Sequence, residues 1–140
     1  MHRNKHKGVT LIEMMVVVVI VGVLASVAYP SYIEHQRSGN RTSAQASLMM
    51  LHLWMEEQFT TTGAYPSSVD NSSCPSCNLN TDYYNYSATY VSGGLPVYTL
   101  AATPKASSMQ NADKCGVLTV AASGRTLATK NGTTVSGCWK

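Results

Sequence analysis

Four cysteines are the residues of this chain whose chemistry is easiest to enumerate: Cys74, Cys77, Cys115 and Cys138. A thioredoxin-like redox pair at Cys74 and Cys77 would need a thiolate at a helix N-terminus within a βαβ unit, and the surrounding sequence predicts neither. A zinc site would use all four, but the second pair is far apart instead of forming another Cys-x-x-Cys. An even number of cysteines favours two structural disulfides, formed after export.

The other residues that could do chemistry do not form a catalytic set. Glu56 and Glu57 are adjacent, so they point to different sectors of a helix. His35 and His52 are interpreted as solvated, and no Ser-His-Asp set or glycine-rich phosphate loop is found. The sequence therefore predicts no enzyme, no metal site and no cofactor. Four tyrosines are typical of sheet packing, not of a ligand surface: Tyr83, Tyr84, Tyr86 and Tyr90.

An apolar run at residues 9–29 sets the organisation of the chain, since only one of its residues, Glu13, is charged. A helix needs about 20 such residues to cross the roughly 30 Å hydrocarbon core of a bilayer. In lipid the backbone must satisfy its own hydrogen bonds, which forces a helix. Arg3, Lys5 and Lys7 precede the run and should remain cytoplasmic, so the rest of the chain faces the periplasm or the exterior.

The net charge of +3 invites a nucleic-acid interpretation, but three of the ten basic residues lie ahead of the apolar run. Without residues 1–8, seven basic residues face seven acids, which weakens the case for a broad phosphate-binding face. The composition, 44% hydrophobic and 12% charged, also indicates that water is not the only solvent of this chain.

Glu13 separates three interpretations of the apolar run: a signal peptide cut before Tyr29, a plain anchor, and a filament-forming helix with its own processing site. The small residues Ser26 and Ala28 fit the first, but an acid interrupts the run that a signal peptide needs. An acid facing lipid costs roughly 3 kcal/mol, so either a partner compensates it or the residue lies at the hydrated interface. Physical argument alone leaves both possibilities open.

The sequence Gly8-Val9-Thr10-Leu11-Ile12-Glu13 resembles the type IV prepilin signature, in which Gly-Phe-Thr-Leu-Ile-Glu precedes a long apolar helix. The resemblance implies a leader of residues 1–8, cleaved after Gly8 by a prepilin peptidase, and N-methylation of Val9. It also implies a filament core of such helices, with Glu13 paired to the N-terminal amine of a neighbouring subunit. Val9 departs from the usual Phe, which bears on methylation more than on cleavage.

Residues 30–62 are predicted to continue the helix as an amphipathic half. Pro30 removes one backbone hydrogen bond and should kink the helix. Gly39 lowers the helix propensity, so the helix is most easily interrupted there. The helix should end before Gly63. Its apolar face is predicted at Ala44, Leu48, Leu51, Met55 and Phe59, and its more polar side at Gln45, His52, Glu56 and Glu57.

Residues 63–140 should form the head. A Ser- and Asn-rich loop at 67–82 is followed by strands at 83–91, 97–103, 116–122 and 125–129, with turns at Gly93-Gly94 and Ser123-Gly124. Short connections make the neighbouring strands antiparallel. The predicted fold class is α+β: a long N-terminal helix, membrane-inserted and then amphipathic, packed on a four-stranded antiparallel sheet, as in the type IV pilin fold.

The C-terminal region, from Cys115-Gly116 to Cys138-Trp139, is similar to that of PilE-type minor pilins. This resemblance implies a Cys115–Cys138 disulfide and a structural role in twitching motility, adhesion or DNA uptake. The implied partners are other pilins and minor pilins, the peptidase and an inner-membrane assembly platform. The implied location is the inner membrane, with a periplasmic head, and later the extracellular pilus. A major pilin, a type II secretion pseudopilin and a DNA- or host-binding surface module remain alternatives.

Overall fold

The computed structural model describes residues 8–91 and 97–139, and the chain divides after His35 into two compact units. One helix, α1 (Leu11–Thr62), contributes to both units and continues through Pro30 and Gly39. Gly39 therefore does not break the helix, and open space surrounds the position that a Cβ would take there. The kink at Pro30 stays a prediction.

The first unit holds the apolar part of α1. Every residue from Gly8 to Tyr32 is exposed, including Leu11 at 78% and Val27 at 74%. Within the described residues, α1 is one helix that is long and apolar enough to cross a membrane, judged by length and composition. None of the described residues of this unit covers these side chains.

In the second unit, α1 buries the apolar face that the periodicity predicts. Ala44, Leu48, Leu51 and Met55 are fully buried, while Phe59 at the end of the face is 44% exposed. The predicted polar side is wrong in part: Gln45 is buried, and His52 is half-buried instead of solvated. Both residues lie inward because their polar atoms find partners there: the Gln45 amide donates to the Cys138 carbonyl, and His52 Nδ1 contacts the Tyr98 hydroxyl at 2.8 Å.

The sheet is antiparallel with strands in chain order, and it has five strands instead of the predicted four. The strands are β1 (Tyr84–Tyr90), β2 (Tyr98–Pro104), β3 (Val117–Ala121), β4 (Thr126–Lys130) and β5 (Thr133–Thr134). Strand β5 was missed because two residues carry no alternation to detect. Its hairpin turn, Asn131-Gly132, has positive φ at both positions, as a type I′ turn requires. The predicted Gly93-Gly94 turn lies outside the described residues.

Alternate residues of the central strands face the core of the second unit. Tyr84, Leu100, Leu118 and Val120 are fully buried and belong to the same cluster as the apolar face of α1. Two short 3₁₀ helices interrupt the connections: η1 (Pro75–Cys77) before β1, and η2 (Met109–Ala112) between β2 and β3. The connection that contains η2 carries most of the polar contacts described below.

Candidate assembly site and basic cluster

The start of α1 is closed by a reciprocal pair of hydrogen bonds. The Glu13 backbone N–H donates to Thr10 Oγ1 at 3.3 Å, and the Thr10 N–H donates to Glu13 Oε2 at 3.4 Å. The Thr10 carbonyl accepts the first helical bond, from Met14. This is a capping box, in which two otherwise unsatisfied N–H groups are paired. Glu13 therefore has a role within its own chain that sequence reasoning missed, although its signal, Thr-x-x-Glu, is present.

The capping box leaves Glu13 able to bind another donor. An ionised carboxylate has about four lone-pair sites, and the capping bond uses one oxygen. Gly8 and Val9 lie directly ahead of the capping residue, outside the helix and exposed. The structure thus places the predicted processing residues and the predicted assembly residue within one turn of the helix start.

All four cysteines of the head are oxidised, and none is exposed. Cys74 pairs with Cys77 across η1, with Cα atoms 5.4 Å apart, and Cys115 pairs with Cys138 at 5.8 Å. The second disulfide joins the residue two before β3 to the end of the chain. Since disulfide sulfurs offer no thiolate, the cysteines cannot bind zinc in this state.

The loop at residues 67–82 is closed by more than its disulfide. The Asn71 side chain both donates to and accepts from the backbone of Leu79, at 3.0 and 2.8 Å. Asp70 Oδ1 accepts from the Ser72 and Ser73 amides, and hydrogen bonds from Ser73 hold the pKa of Asp70 below its usual value. The loop is therefore held in a defined conformation by these hydrogen bonds and its disulfide, although its composition predicted only a surface loop.

A buried ion pair joins α1 to the β2–β3 connection. Arg41 donates from Nε to Asp113 Oδ2 at 2.9 Å and from Nη2 to Asp113 Oδ1 at 2.6 Å, and Asp113 is fully buried. Sequence reasoning did not find this pair, because its partners are 72 residues apart. A weak signal was present: Arg41 precedes Ala44 by three positions and so lies on the apolar face of the helix.

Gln110 extends this contact into the core. Its amide nitrogen donates to the Tyr84 hydroxyl at 2.7 Å and to the Arg37 carbonyl at 3.2 Å. Burial raises the pKa of Tyr84 to about 12, despite the opposing hydrogen bond from Gln110. Arg37 Nε donates to the Met109 carbonyl at 3.0 Å. The first helical turns of the head thus fix the whole of η2 in place.

Three lysines surround the same connection, and we refer to Lys105, Lys114 and Lys130 as the basic cluster. Lys105 begins the connection between β2 and β3, and its N–H donates to the Tyr83 carbonyl at 2.9 Å. Lys114 lies near its end and is exposed. Lys130, on β4, donates from Nζ to the Asn111 and Asp113 carbonyls. The Arg41–Asp113 pair therefore positions the segment that carries Lys105 and Lys114 and accepts hydrogen bonds from Lys130.

A second polar group lies at the other end of β2. The Tyr98 hydroxyl is 2.6 Å from Glu56 Oε1 and 2.8 Å from His52 Nδ1. The Tyr98 hydroxyl donates to Glu56 Oε1, so its oxygen can accept from His52 when that ring carries its hydrogen on Nδ1. Burial, and then Glu56, raises the pKa of Tyr98. This group ties the sheet to α1, which explains why His52 and Glu56 do not form the predicted polar side.

Comparison with known proteins gives two sequence-family matches. Residues 3–29 match the prokaryotic N-terminal methylation motif. Residues 30–119 match the family described as "Type IV minor pilin ComP, DNA uptake sequence receptor". Together they extend from residue 3 to residue 119, which lies in β3.

Individual relatives include a major pilin and a type II secretion system protein. The chain is 34% identical over 61 residues to the type IV major pilin protein PilA of Myxococcus xanthus, which covers 44% of this chain and 28% of that protein. It is 33% identical over 64 residues to the type II secretion system core protein G of Pectobacterium carotovorum, covering 46% and 41%. The chain thus spans less than half the length of these two relatives.

A solved structure supports the fold. A type IV pilin from Shewanella oneidensis superimposes with a TM-score of 0.50 at 24% identity, over 71% of this chain and 99% of the other. At that identity the likeness concerns the long helix packed on an antiparallel sheet. Given this fold, the methylation motif and a family match over residues 30–119, the chain belongs to the type IV pilins, in the family described as type IV minor pilin ComP, DNA uptake sequence receptor.

Proposed function

We propose that this chain is a structural subunit of a type IV pilus, a minor pilin that supports pilus assembly and DNA uptake. The observation that carries the proposal is the apolar part of α1, whose large side chains are all exposed and whose only charge is Glu13. Such a surface is stable only when lipid or other apolar helices cover it. A pilin meets both conditions in turn, in the membrane before assembly and in the filament afterwards.

In this proposal, residues 1–8 are a leader that a prepilin peptidase removes between Gly8 and Val9, and Val9 is then N-methylated. Residues 9–29 hold the chain in the inner membrane as a single pass. Residues 30–62 carry the helix into the head, which residues 63–140 complete in the periplasm. An inner-membrane platform and other pilin and minor pilin subunits receive the chain, and the pilus carries it to the cell exterior.

Glu13 is proposed to pair with the N-terminal amine of a neighbouring subunit during assembly. The support is the cost of roughly 3 kcal/mol for an acid that faces lipid, which a cationic partner would offset. The capping box adds a competing explanation, since Glu13 also pairs with Thr10 of its own chain. The experiment has to separate charge from capping.

Two variants of Glu13 make that separation in cells that carry the pilus system. Glu13→Gln keeps a side-chain acceptor for the Thr10 N–H but has no charge, whereas Glu13→Ala loses both. We expect both variants to be processed normally and to be depleted in sheared filaments, as measured by immunoblot of membranes and fibres. Normal incorporation of Glu13→Gln would mean that Glu13 acts only as a cap. Gly8→Ala, which should remain unprocessed in the membrane, is the control for the blot.

The minor-pilin role rests on the family description, and the abundance of the chain tests it. A minor pilin should be a small fraction of the protein in sheared fibres. Fibres made almost wholly of this chain would indicate a major pilin instead. Normal pilus formation in a deletion strain, with loss of type II secretion, would favour the pseudopilin alternative.

DNA binding is the second candidate function, and the charge distribution of the head favours it. Residues 105–139 carry Lys105, Lys114, Arg125 and Lys130 against a single acid, Asp113, which Arg41 neutralises. The net charge of the processed chain is zero, so the overall count did not indicate this local excess of positive charge. The full chain in detergent should bind a short DNA duplex with an affinity that falls as salt is raised. Absence of binding at low salt would end this candidate.

A further inference from the structure

The basic cluster lies at the end of the head where the chain enters it from the apolar segment. Arg37 and Arg41, on the first helical turns of the second unit, bind the Met109 carbonyl and Asp113. Lys105 and Lys114 lie on the same β2–β3 connection, and Lys130 donates into it. The three lysines are therefore held near the helical turns that follow His35.

The charge at this end is positive after its acids are counted. Asp113 is neutralised by Arg41. Glu34 lies three residues before Arg37 in the sequence, and Asp82 precedes Tyr83, whose carbonyl accepts from the Lys105 N–H. The three lysines of the basic cluster are three cations against these two acids. Within the described residues, no carboxylate lies within salt-bridge distance of Lys105 or Lys114.

Covalent connection alone keeps this end near the bilayer. Six residues separate Tyr29, the last of the apolar run, from Gln36, the first of the second unit. A chain of that length spans roughly 10 Å as a helix and at most about 25 Å when extended. Whatever the orientation of the head, its first turns are therefore tethered within a short distance of the lipid headgroups.

We propose that the basic cluster binds the phosphate groups of anionic phospholipids in the leaflet on the head's side of the membrane before assembly. The three lysines, their position at the tethered end and, within the described residues, the absence of a carboxylate at salt-bridge distance from Lys105 and Lys114 all fit a surface of closely spaced phosphates. The proposal rests on the membrane insertion in the proposed function and does not require DNA binding. It gives the head a resting position that extraction into a filament would release.

The test uses the full chain in nanodiscs, either of phosphatidylcholine alone or of phosphatidylcholine with phosphatidylglycerol. Amide hydrogen exchange, read by mass spectrometry, should be roughly tenfold slower at residues 105–116 in the anionic discs, because headgroup contact suppresses local opening. The slowing should diminish as salt is raised, since screening weakens exposed charge pairs. Equal exchange in the two lipids would overturn the proposal.

The double variant Lys105→Gln, Lys114→Gln should abolish the lipid dependence. Lys130 is left intact because its Nζ bonds to the Asn111 and Asp113 carbonyls hold the connection in place. Arg125→Gln is the matched control: it removes one cation at the opposite end of β4, roughly 17 Å away, and should leave the lipid effect unchanged. Loss of the effect in the Arg125 variant alone would contradict the assignment.

Two further outcomes separate this proposal from the functions above. Failure of the chain to enter any nanodisc would overturn membrane insertion, and the lipid proposal with it. Slower exchange at residues 105–116 on adding duplex DNA to neutral discs, without any effect of anionic lipid, would assign the cluster to DNA and overturn the lipid proposal alone.

Discussion

The apolar segment and the head place their polar and apolar groups in opposite ways. From Gly8 to Tyr32 every side chain is exposed, and the one acid helps to close the helix start. In the head, Leu48 and Leu100 are fully buried and the ion pair Arg41–Asp113 is buried with them. The head therefore buries its own apolar core, whereas the apolar side chains of the segment are exposed and, in the proposed function, pack against lipid or other helices. Changes in the head should alter stability, and changes in the segment should alter assembly.

The largest effect on stability is expected from breaking the buried ion pair. Asp113→Ala removes the carboxylate that binds the buried Arg41 guanidinium and should lower the free energy of unfolding of the head by about 3–5 kcal/mol. Urea unfolding of the full chain in detergent, followed by the fluorescence of Trp54 and Trp139, measures this. Insertion into membranes should not change.

The matched control replaces both partners by apolar residues. Arg41→Met with Asp113→Leu should recover most of the lost stability, since the buried pair itself contributes little net free energy. If Asp113→Ala cost less than about 1 kcal/mol, Arg41 would have to reach water without that partner, and the pair would not organise the β2–β3 connection.

The two disulfides should differ in the stability that they contribute. In the loop-entropy model, the Cys115–Cys138 bond contributes about 3 kcal/mol and the Cys74–Cys77 bond about 2 kcal/mol, because the second closes a much shorter loop. Paired alanine variants of each bond, compared by urea unfolding under non-reducing conditions, test the order. The reverse order would show that the 67–82 loop contributes more to the head than its span suggests.

Alanine substitutions at two glycines with positive φ distinguish the cost of backbone strain from the cost of a steric clash. At Gly116 an added Cβ would clash with the Thr129 carbonyl oxygen, whereas at Gly132 it would meet open space. Gly116→Ala should cost about 2–3 kcal/mol, and Gly132→Ala about 1 kcal/mol from backbone strain alone. Equal costs in urea unfolding would mean that β3 and β4 move apart at no cost.

The smallest expected effect is a pH dependence of the 67–82 loop. Hydrogen bonds from Ser73 and Ser72 lower the pKa of Asp70, so its contribution is present above the unfolded value near 4 and is lost as the pH falls through the folded value. Amide exchange at Ser72 and Ser73 should therefore increase below about pH 4, after correction for the intrinsic rate. Asp70→Asn should remove the pH dependence, and its persistence would exclude Asp70 as the cause.

The elements whose side chains follow a periodic pattern were predictable from the sequence. The apolar segment, the α1 face at Leu48, Leu51 and Met55, and the four longer strands each carry a periodic pattern that a single helix or strand must satisfy. The family followed from one continuous motif at Gly8 to Glu13. In each case the information is local, so neighbouring residues are enough to detect it.

The contacts that organise the head were not predictable, because they join distant parts of the chain. Gln45 and His52 look polar and exposed on a helix until Cys138 and Tyr98 supply their partners. The residues next to Arg41 in the sequence do not indicate that Asp113 is its ion-pair partner, and those next to Asp113 do not indicate Arg41. Strand β5 is too short to show alternation. The capping box is the exception, since Thr10 and Glu13 form a local motif that could have been found.

The central claim is that residues 9–29 first reside in lipid and then form filament core after processing at Gly8. Mass spectrometry of the chain, extracted from membranes of cells with and without the prepilin peptidase, tests it most directly. The account predicts a mature chain that begins at Val9 and carries one added methyl group, present only when the peptidase is present. A chain that begins at Tyr29, or that keeps Met1 in both strains, would contradict it.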